Sequence, residues 1–354
     1  MKIKIGKKII SESSKTYFIA DIGANHDGSL KRAKKLIKLC AMAGADAAKF
    51  QHFKAETIVS DFGFKKIGKL SHQKKWNSSV FQVYQNASIN NKWTKILKKE
   101  CDKYKIDFLT SPYDLNYVDS VFKYIKAYKI GSGDITWKEI IIKIAKKRLP
   151  LILATGASNL NEVKRAVNLI LKYKKKLILM QCNTNYTNSE NNFNYLNLNV
   201  LKTFKKKFKN NIILGLSDHT QGHTAVISAV TMGARVIEKH FTDNNFRIGP
   251  DHGFAMNPVT WRSMVEETRK LEMALGNGNK IIEKNENQSS LVQRRCIRTK
   301  TDILANQRIK NEHLICLRPA PRKSINPFFV KKIINKIARK KIKAGDFISW
   351  DKIK

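Results

Sequence analysis

The sequence predicts a closed (β/α)₈ TIM barrel followed by a small β-rich domain, because strand-like and helix-like segments alternate through most of its length. Eight short apolar runs with strand character recur within the first 275 of the 354 residues. Helical patterns fill most gaps between them, and eight such units close a barrel. A doubly wound open sheet more often has about five to seven strands and a GxGxxG motif, which does not follow Gly23. The predicted strands are residues 17–23, 47–51, 107–112, 127–133, 149–156, 177–182, 212–218 and 235–241.

The predicted helices carry their apolar residues at helical spacing. Leu30, Ala33, Leu36 and Cys40 follow the 3.6-residue period, so one face of that helix is apolar while lysines cover the other. The segment from about 53 to 91, with Trp76 and Tyr84, is predicted as a loop over the barrel mouth. The predicted helices are residues 29–45, 92–105, 160–174, 223–234 and 261–275.

Residues 211–241 form the most informative β-α-β unit. Each of its two apolar strands leads into a polar cluster that contains a histidine, His219 in the first and His240 in the second. In parallel α/β folds ligands bind at the carboxyl ends of the strands, and neighbouring strands lie about 4.8 Å apart. Two imidazoles there could hold one divalent metal ion and leave positions open for water or substrate. The alternative is that each is a hydrogen-bonded histidine at the barrel rim.

The composition narrows the class of protein. Hydrophobic residues make up 42% of the chain, which is ordinary for a globular protein, and no apolar run approaches the ~20 residues of a membrane span. The N-terminal segment is positively charged but has no apolar core, so no secretory signal is predicted. Five scattered cysteines without CxxC spacing favour reduced thiols in a cytoplasm over disulfides or a zinc site.

The formal net charge of +40 raises the question of nucleic-acid binding. The lysines are spread through every segment, however, and only residues 205–209 and 338–343 concentrate them. We therefore predict no nucleic-acid partner and no membrane partner. The positive field should instead help to attract small anionic substrates.

The sequence changes in character after Leu275. Residues 276–291 are rich in Gly and Asn, which predicts a linker between a catalytic barrel at residues 1–275 and a second domain at residues 292–354. The second domain contains short alternating runs and few long helices, so it is predicted to be β-rich.

Two lysines lie inside predicted strands and are candidates for a binding site. A charged group in an apolar strand is costly unless it is paired, so Lys49 and Lys129 are candidates for binding an anion inside the barrel. The alternative is that each lysine extends to solvent from the end of its strand. Hydroxyls at the neighbouring strand ends would complete a phosphate or carboxylate site; they belong to Ser111, Ser132 and Ser217.

A series of motifs in order carries a resemblance to a known family. FIADIGANHDGSLKRAKKLIKLCAMAGADAAKFQ, FLTSPYD, YKIGSGDIT, GLSDHT and IEKHFTDNN with GPDH resemble sialic acid (N-acetylneuraminate) synthases, including legionaminic and pseudaminic acid synthases. RRCIRTK with LICLRPAP resembles the antifreeze-like (SAF) domain of that family. The resemblance implies a TIM barrel that condenses phosphoenolpyruvate and water with an N-acetylated hexosamine, N-acetylmannosamine or a 2,4-diacetamido relative. The products would be a nine-carbon 2-keto sugar acid and phosphate.

The resemblance also implies a divalent metal ion and a homodimer. The metal would be Mn²⁺, with Mg²⁺ or Co²⁺ as alternatives, and its ligands would be His219 and His240. In the dimer, the C-terminal domain would cover the partner's active site. Arg318 matches the family arginine that reaches that site, with Arg322 as the fallback because Arg-Pro-Gly has become Arg-Pro-Ala here.

The remaining site residues are assigned by the same motifs. Phosphoenolpyruvate would be held by Lys49, Ser111, Lys129, Ser132 and Ser217. The acceptor sugar would contact Gln51, Tyr186 and Asp251. With the lysines fixing phosphoenolpyruvate and the metal polarising the aldehyde, proximity contributes on the order of 7–11 kcal/mol. Asp21 and Asp134 are the candidates for proton transfer, and the sequence does not say which is acid and which is base.

Departures from the family pattern leave the acceptor sugar open. Asp21 and Asp134 stand where glutamate is usual, Ala154 stands where serine is usual, and residues 182–187 replace Cys-Thr-x-x-Tyr-Pro. One alternative function is a related phosphoenolpyruvate aldol-type synthase that uses another aldose. The other is a non-catalytic carbohydrate-binding protein.

Overall fold

The structure is a computed structural model that describes residues 1–70, 73–74 and 76–354. The chain divides into two compact units, Met1–Gly276 and Asn277–Lys354. Each unit has its own cluster of buried apolar side chains. In the described part of the chain, no helix has both the length and the apolar character needed to cross a membrane.

Eight parallel strands close into a barrel in the first unit, as the sequence predicted. The last strand pairs with both the preceding strand and the first, and this pairing closes the ring. The barrel strands follow an N-terminal hairpin and are β3 (Tyr17–Asp21), β4 (Ala47–His52), β5 (Asp107–Pro112), β6 (Tyr128–Ile130), β7 (Leu151–Ala154), β8 (Leu177–Cys182), β9 (Ile212–Asp218) and β10 (Val236–His240).

Helices surround the barrel, and several of them begin at side-chain caps. Asn159 and Glu162 form a capping box, and Asn257 caps the last helix of the first unit. The helices of this unit are α1 (Leu30–Met42), α2 (Ala55–Ile58), α3 (Asp61–Ile67), α4 (Val80–Ala87), α5 (Trp93–Lys103), α6 (Leu115–Ser120), α7 (Lys138–Ala145), α8 (Leu160–Leu171), α9 (Val200–Phe208), α10 (Thr224–Thr231) and α11 (Pro258–Ala274).

The insertion after β4 is more ordered than the sequence predicted. It contains the short helices α2, α3 and α4 rather than only a loop, while its residues 71, 72 and 75 lie outside the described residues. Ser60 caps α3, and Ser79 with Gln82 forms a capping box at α4. The longest of these helices has eight residues, so a 3.6-residue period has little length in which to become visible.

The barrel strands separate two apolar layers because successive side chains point to opposite faces. Side chains such as Phe18 and Phe108 point outward and pack against the helices. Tyr17, Ile19 and Leu109 point inward and fill the barrel. The interior is therefore a packed core at the amino ends of the strands.

An N-terminal hairpin, which the sequence analysis did not predict, completes that inner core. Its strands are β1 (Lys2–Ile5) and β2 (Lys8–Ser11). Ile3, Ile5 and Ile10 join the cluster of inward-pointing barrel residues. The hairpin therefore seals the amino-terminal end of the barrel, and the carboxyl end is left for ligands.

The second unit is small and β-rich, as predicted. Its antiparallel strands are β11 (Cys296–Thr299) and β12 (Leu314–Leu317), with further isolated bridges such as Ile303 to Ile342. It also contains the helices α12 (Asn287–Gln293) and α13 (Val330–Ile333). Isoleucine dominates its core.

The hairpin provides a test of the inner core. Ile5→Ala should lower the free energy of unfolding by about 2–5 kcal/mol, because it opens a cavity at a fully buried position. Ile9→Ala, on the same hairpin but 57% exposed, should change it by less than about 0.5 kcal/mol. Urea unfolding followed by circular dichroism measures both, and equal effects would contradict the sealing role of the hairpin.

Candidate active site

The inward-pointing residues change from apolar to polar toward the carboxyl ends of the strands. Ile19 is followed two residues later by Asp21, and Val236 is followed at the same spacing by Glu238 and His240. Strand register places these polar residues side by side, since His240 pairs with Asp21 and Asp21 with Lys49. The equivalent inward positions of the neighbouring strands hold Gln51, Ser111, Lys129, Cys182 and Ser217.

Four charged side chains form a buried network, which we call the charge network: Asp21, Lys49, Lys129 and Glu238. The Nζ atom of Lys49 lies 2.7 Å from Oδ2 of Asp21 and 4.0 Å from Oε2 of Glu238. The Nζ atom of Lys129 lies 2.8 Å from Oε1 of Glu238. Each side chain is at most 5% exposed, so both lysines point into the barrel rather than to solvent.

The ion pairs of the charge network favour the charged forms of Asp21, Glu238 and Lys49. Burial alone raises the pKa of a carboxyl, but the ammonium of Lys49 lowers the pKa of Asp21 and the ammonium of Lys129 lowers that of Glu238. Burial likewise opposes the charge of Lys49, yet Asp21 and Glu238 raise its pKa. Two positive and two negative charges therefore balance inside the barrel.

Two buried oxygen atoms, one beside the charge network and one within it, have no hydrogen-bond partner. They are Oγ of Ser111 and the second carboxylate oxygen of Glu238, Oε2. Ser217 donates to the other carboxylate oxygen over 3.1 Å. Buried polar atoms are normally satisfied, so the unpaired ones indicate where a ligand binds.

The two predicted metal ligands lie next to each other at the same end of the barrel. The ring centroids of His219 and His240 are 5.5 Å apart. Nδ1 of His219 lies 2.8 Å from the carbonyl oxygen of Asn183, which can only accept, so Nδ1 carries the proton and Nε2 of a neutral ring is free. Nδ1 of His240 is buried without a hydrogen-bond partner and lies 3.7 Å from Oδ2 of Asp251.

These features fit a metal ion held by two imidazoles. A ring nitrogen fixed by a backbone carbonyl is the usual arrangement of a metal-binding histidine, and an unpaired buried nitrogen has room for a ligand. Among the described residues, no group of three or more His, Cys, Asp or Glu side chains is arranged to hold a metal.

Aromatic rings hold the two imidazoles in place. The ring of Tyr186 contacts His219 edge-on at 4.5 Å between centroids, and that of Phe254 lies 5.0 Å from His240. Sγ of Cys182 lies 3.9 Å from Nδ1 of His219. Aromatic packing thus fixes both histidines, and the carbonyl oxygen of Asn183 also fixes His219.

Asp134 has a different environment from Asp21. It belongs to the short 3₁₀ turn Ser132–Asp134 that follows β6. Burial without a nearby cation raises the pKa of its carboxyl to about 6. Ser132 accepts a hydrogen bond of 2.9 Å from the backbone N–H of Gly156, which fixes the turn against the next strand end.

A cavity of about 370 Å³ opens above this layer, and we call it the mouth cavity. The strand ends supply one part of its wall and the insertion after β4 supplies the other. Its strand-end residues include Gln51, Tyr113, Ser132, Asp134, Thr184, Tyr186, His240 and Asp251. Its insertion residues are Phe53, Ile58, Trp76, Val83, Tyr84 and Ala87.

Asp251 is positioned by the loop between β3 and α1. Its Oδ2 accepts from the backbone N–H of Ala24 over 3.1 Å, and the amide of Asn25 donates to the carbonyl oxygens of Phe241 and Asp251. The adjacent His252 is buried and lies 2.9 Å from a carboxylate oxygen of Asp27. The loop that carries Asp251 is therefore held to the barrel at several points.

Further ion pairs hold the same loop. Arg32 lies 2.6 Å from Asp243 and 3.0 Å from Asp27. These hydrogen bonds and ion pairs explain why residues 25–28 (NHDG) are mostly polar. The sequence analysis gave this segment no role.

The structure brings twelve of the thirteen predicted site residues together at the carboxyl end of the barrel. Arg318 is an exposed residue of the second unit. Ala154 points inward at the end of β7, at the position where the sequence resemblance implied a serine. The twelve are Asp21, Lys49, Gln51, Ser111, Lys129, Ser132, Asp134, Tyr186, Ser217, His219, His240 and Asp251.

Sequence reasoning missed the role of Glu238. This residue pairs with Lys129 across the barrel. Strand alternation could have found it, because residues 238 and 240 must point to the same side of β10. Sequence reasoning also missed Tyr113, whose aromatic side chain lines the mouth cavity.

Comparisons with known proteins now identify the family. Residues 36–280 match the sequence model of the NeuB family, and residues 294–354 match that of the SAF domain. The chain belongs to the NeuB family. Membership confirms the family resemblance and the SAF domain that the motifs predicted.

Relatives of known activity cover nearly the whole chain. The N,N'-diacetyllegionaminic acid synthase of Campylobacter jejuni is 35% identical over 94% of this chain and 99% of its own length. That of Legionella pneumophila is 32% identical over 98% of this chain and 97% of its own length. The crystal structure of the N-acetylneuraminic acid synthetase of Leptospira borgpetersenii in complex with citrate is 27% identical, with a TM-score of 0.71 over 82% of this chain and 95% of that one. The predicted enzyme class, a synthase of this type, is thereby confirmed.

Proposed function

We propose that this NeuB-family enzyme condenses phosphoenolpyruvate and water with an N-acetylated hexosamine, releasing phosphate and a nine-carbon 2-keto sugar acid. The observation that carries the proposal is the charge network beside two imidazoles, beneath a cavity of about 370 Å³. A cavity of this volume lies in the range of small-molecule sites. The similarity to legionaminic acid synthases over the full chain supports the same reaction class.

Phosphoenolpyruvate would bind at an anion subsite made of Lys49, Ser111, Lys129, Ser132 and Ser217. Each ammonium has three donors, and the contacts to Asp21 and Glu238 leave donors for a ligand. The unpaired hydroxyl of Ser111 adds another donor. The phosphate and carboxylate groups of phosphoenolpyruvate would thus accept charge-assisted hydrogen bonds in a buried site.

Charge balance argues for a cation that enters with the substrate. The charge network has no net charge, so a multiply charged anion bound beside it needs further positive charge. His219 and His240 would hold a divalent ion, Mn²⁺ in our proposal, with Mg²⁺ or Co²⁺ as alternatives. When bound, such an ion supplies Lewis acidity toward the aldehyde oxygen of the acceptor.

The acceptor would lie in the mouth cavity against Gln51, Tyr186 and Asp251. Gln51 also donates to Asp21 over 3.3 Å, which links the acceptor side to the charge network. Asp251 is held by the loop after β3 and can accept hydrogen bonds from sugar hydroxyls. These residues would orient the aldehyde carbon toward C3 of phosphoenolpyruvate, as proximity catalysis requires.

The two aspartates would have different roles, because their environments push their pKa values apart. Asp21 has a lowered pKa and stays ionised, so it would stabilise the positive charge that develops at C2. Asp134, with a pKa of about 6, would donate a proton to the aldehyde oxygen as the carbon–carbon bond forms. Its carboxylate would then accept a proton from the water that attacks C2, and the resulting tetrahedral intermediate expels phosphate.

A phosphate-release assay tests the proposed function. The protein with phosphoenolpyruvate, Mn²⁺ and N-acetylated hexosamines should release phosphate, and His219→Ala should lower turnover and Mn²⁺ affinity at least about 100-fold. Calorimetric titration with Mn²⁺ measures affinity without turnover. His223→Ala, a histidine at the start of α10 away from the site, should leave both unchanged. Unchanged activity in His219→Ala would refute the metal assignment.

A second prediction concerns Asp134. Asp134→Asn should lower kcat by about 10²–10⁴-fold and remove a decline of kcat/KM above about pH 6. Because folding raises the pKa of this carboxyl, the wild type loses stability as pH rises from 3.8 to about 6, and the variant does not. The variant should therefore melt at a higher temperature than the wild type at pH 7.5, with a smaller difference at pH 5.

The matched control for this variant is Asp102→Asn, since Asp102 is an exposed residue of α5. It should change neither the pH profile nor the difference in melting temperature. A wild-type pH profile that Asp134→Asn leaves intact would rule out the proton-transfer role.

We propose further that two chains form a homodimer in the cytoplasm, with Arg318 of one chain acting at the barrel of the other. Neither His219→Ala nor Arg318→Ala should be active alone. Their co-expressed mixture should recover about a quarter of wild-type turnover. Random pairing makes about half of the dimers heterodimers, and one of the two sites in each heterodimer would be intact. If Arg318 acts on its own barrel, no activity should return. Arg322→Ala in place of Arg318→Ala tests the fallback residue.

A further inference from the structure

A buried ion pair lies on the outer side of the two strands that lead to His219 and His240. Nζ of Lys239 contacts Oδ2 of Asp218, and the two side chains are 1% and 0% exposed. Asp218 is the last residue of β9 and pairs with Lys239 of β10 in strand register. Residues two positions earlier in each strand, Leu216 and Ile237, belong to the outer apolar layer. Because side chains alternate along a strand, the pair lies on the opposite face from the charge network.

The pair holds the backbone on both sides of His219. Oδ1 of Asp218 accepts hydrogen bonds from the backbone N–H of Thr220 over 3.0 Å and from its hydroxyl over 2.8 Å. Nζ of Lys239 donates to the carbonyl oxygen of Thr220 over 2.6 Å. Since His219 lies between Asp218 and Thr220 in the chain, the carboxylate and the ammonium together fix the segment that carries the imidazole.

The pair also ties this segment to the strand that carries His240. Lys239 directly precedes His240 in β10, so its contact with Asp218 joins the ends of the two strands. The ring centroids of the two histidines are 5.5 Å apart. A shift of one strand end against the other would change this separation, and ligand distances in metal sites vary by only about 0.2 Å. The contact therefore acts on a distance that matters for metal binding.

Stability alone does not account for an ion pair in an apolar layer. Taking two charges out of water is costly, and well-packed apolar side chains of similar volume often stabilise a protein as well or better. Groups that orient metal ligands are needed for their geometry even where they add no stability. The three hydrogen bonds to Thr220 are the geometry that this pair maintains.

We infer that Asp218 and Lys239 are positioning residues that hold His219 and His240 at the spacing required to bind one divalent ion. The inference rests on the proposed function, which assigns the ion to these two histidines. Both side chains of the pair point away from the barrel interior, so they act through the backbone of residues 218–220 and through β10. Loss of the pair should therefore weaken metal binding in a protein that is still folded.

Calorimetric titration with Mn²⁺ tests this inference. Asp218→Asn keeps the size of the side chain and an oxygen for Thr220, but it removes the charge that pairs with Lys239. We expect the Kd for Mn²⁺ to rise about 10–100-fold and the visible absorption spectrum of the Co²⁺-loaded protein to change. The matched control is Ile5→Ala, which destabilises the core at the other end of the barrel. It should keep the wild-type Kd and spectrum at a temperature where both variants are folded.

A second variant keeps the test decisive if Asp218→Asn does not fold. Asp218→Asn combined with Lys239→Met removes both charges and leaves neither uncompensated, so it should fold and show the same loss of affinity. Wild-type Mn²⁺ affinity in either folded variant, with none in His219→Ala, would overturn the inference and leave the proposed function intact. An equal loss in Ile5→Ala would also overturn it, because general destabilisation would then explain the effect. Absence of Mn²⁺ binding by the wild type would overturn both proposals.

Discussion

The rest of the site depends on the pairing of charges inside a closed barrel. Removing one partner of a buried ion pair typically costs about 3–5 kcal/mol, because the other charge is left without compensation. The ammonium groups of Lys49 and Lys129 are compensated in this interior by the carboxylates of Asp21 and Glu238, which lie beside them. The same pairing limits what the site can bind, since the balanced network accepts an anion readily only if positive charge enters with it.

Barrel geometry explains why these residues meet. The side-chain period of a strand is two, so every inward residue at the carboxyl end belongs to one layer. Below that layer the inward residues are apolar and the hairpin seals the barrel, so water and ligands enter from one end. The chemistry is thus confined to a single surface of an otherwise packed core, which is the usual division in this fold.

The fold and most of the site could be predicted because the signals are local. A lysine within an apolar strand, such as Lys49, and histidines at strand ends are visible in the sequence itself. The partner of Lys129 was not visible, since Glu238 is 109 residues away and only strand register brings them together. The hairpin was missed although Ile3 and Ile5 alternate with lysines, because two four-residue strands give a weak period.

The two sides of the mouth cavity obey different constraints. One side comes from the barrel strand ends, where a change of residue alters a buried charge or the packing of neighbouring strands. The other side comes from an insertion of short helices, which can change sequence without disturbing strand register. Residues such as Val83 and Tyr84 can therefore be replaced while the charge network stays the same.

The charge of the whole chain and the charge of the site have separate consequences. A net charge of +40 produces a field that draws anions toward the protein from a distance set by the Debye length, about 8–10 Å at ordinary salt. This field does not distinguish phosphoenolpyruvate from a phosphorylated sugar. Discrimination has to come from contact, where ammonium groups lie beneath the cavity and carboxylates line its wall.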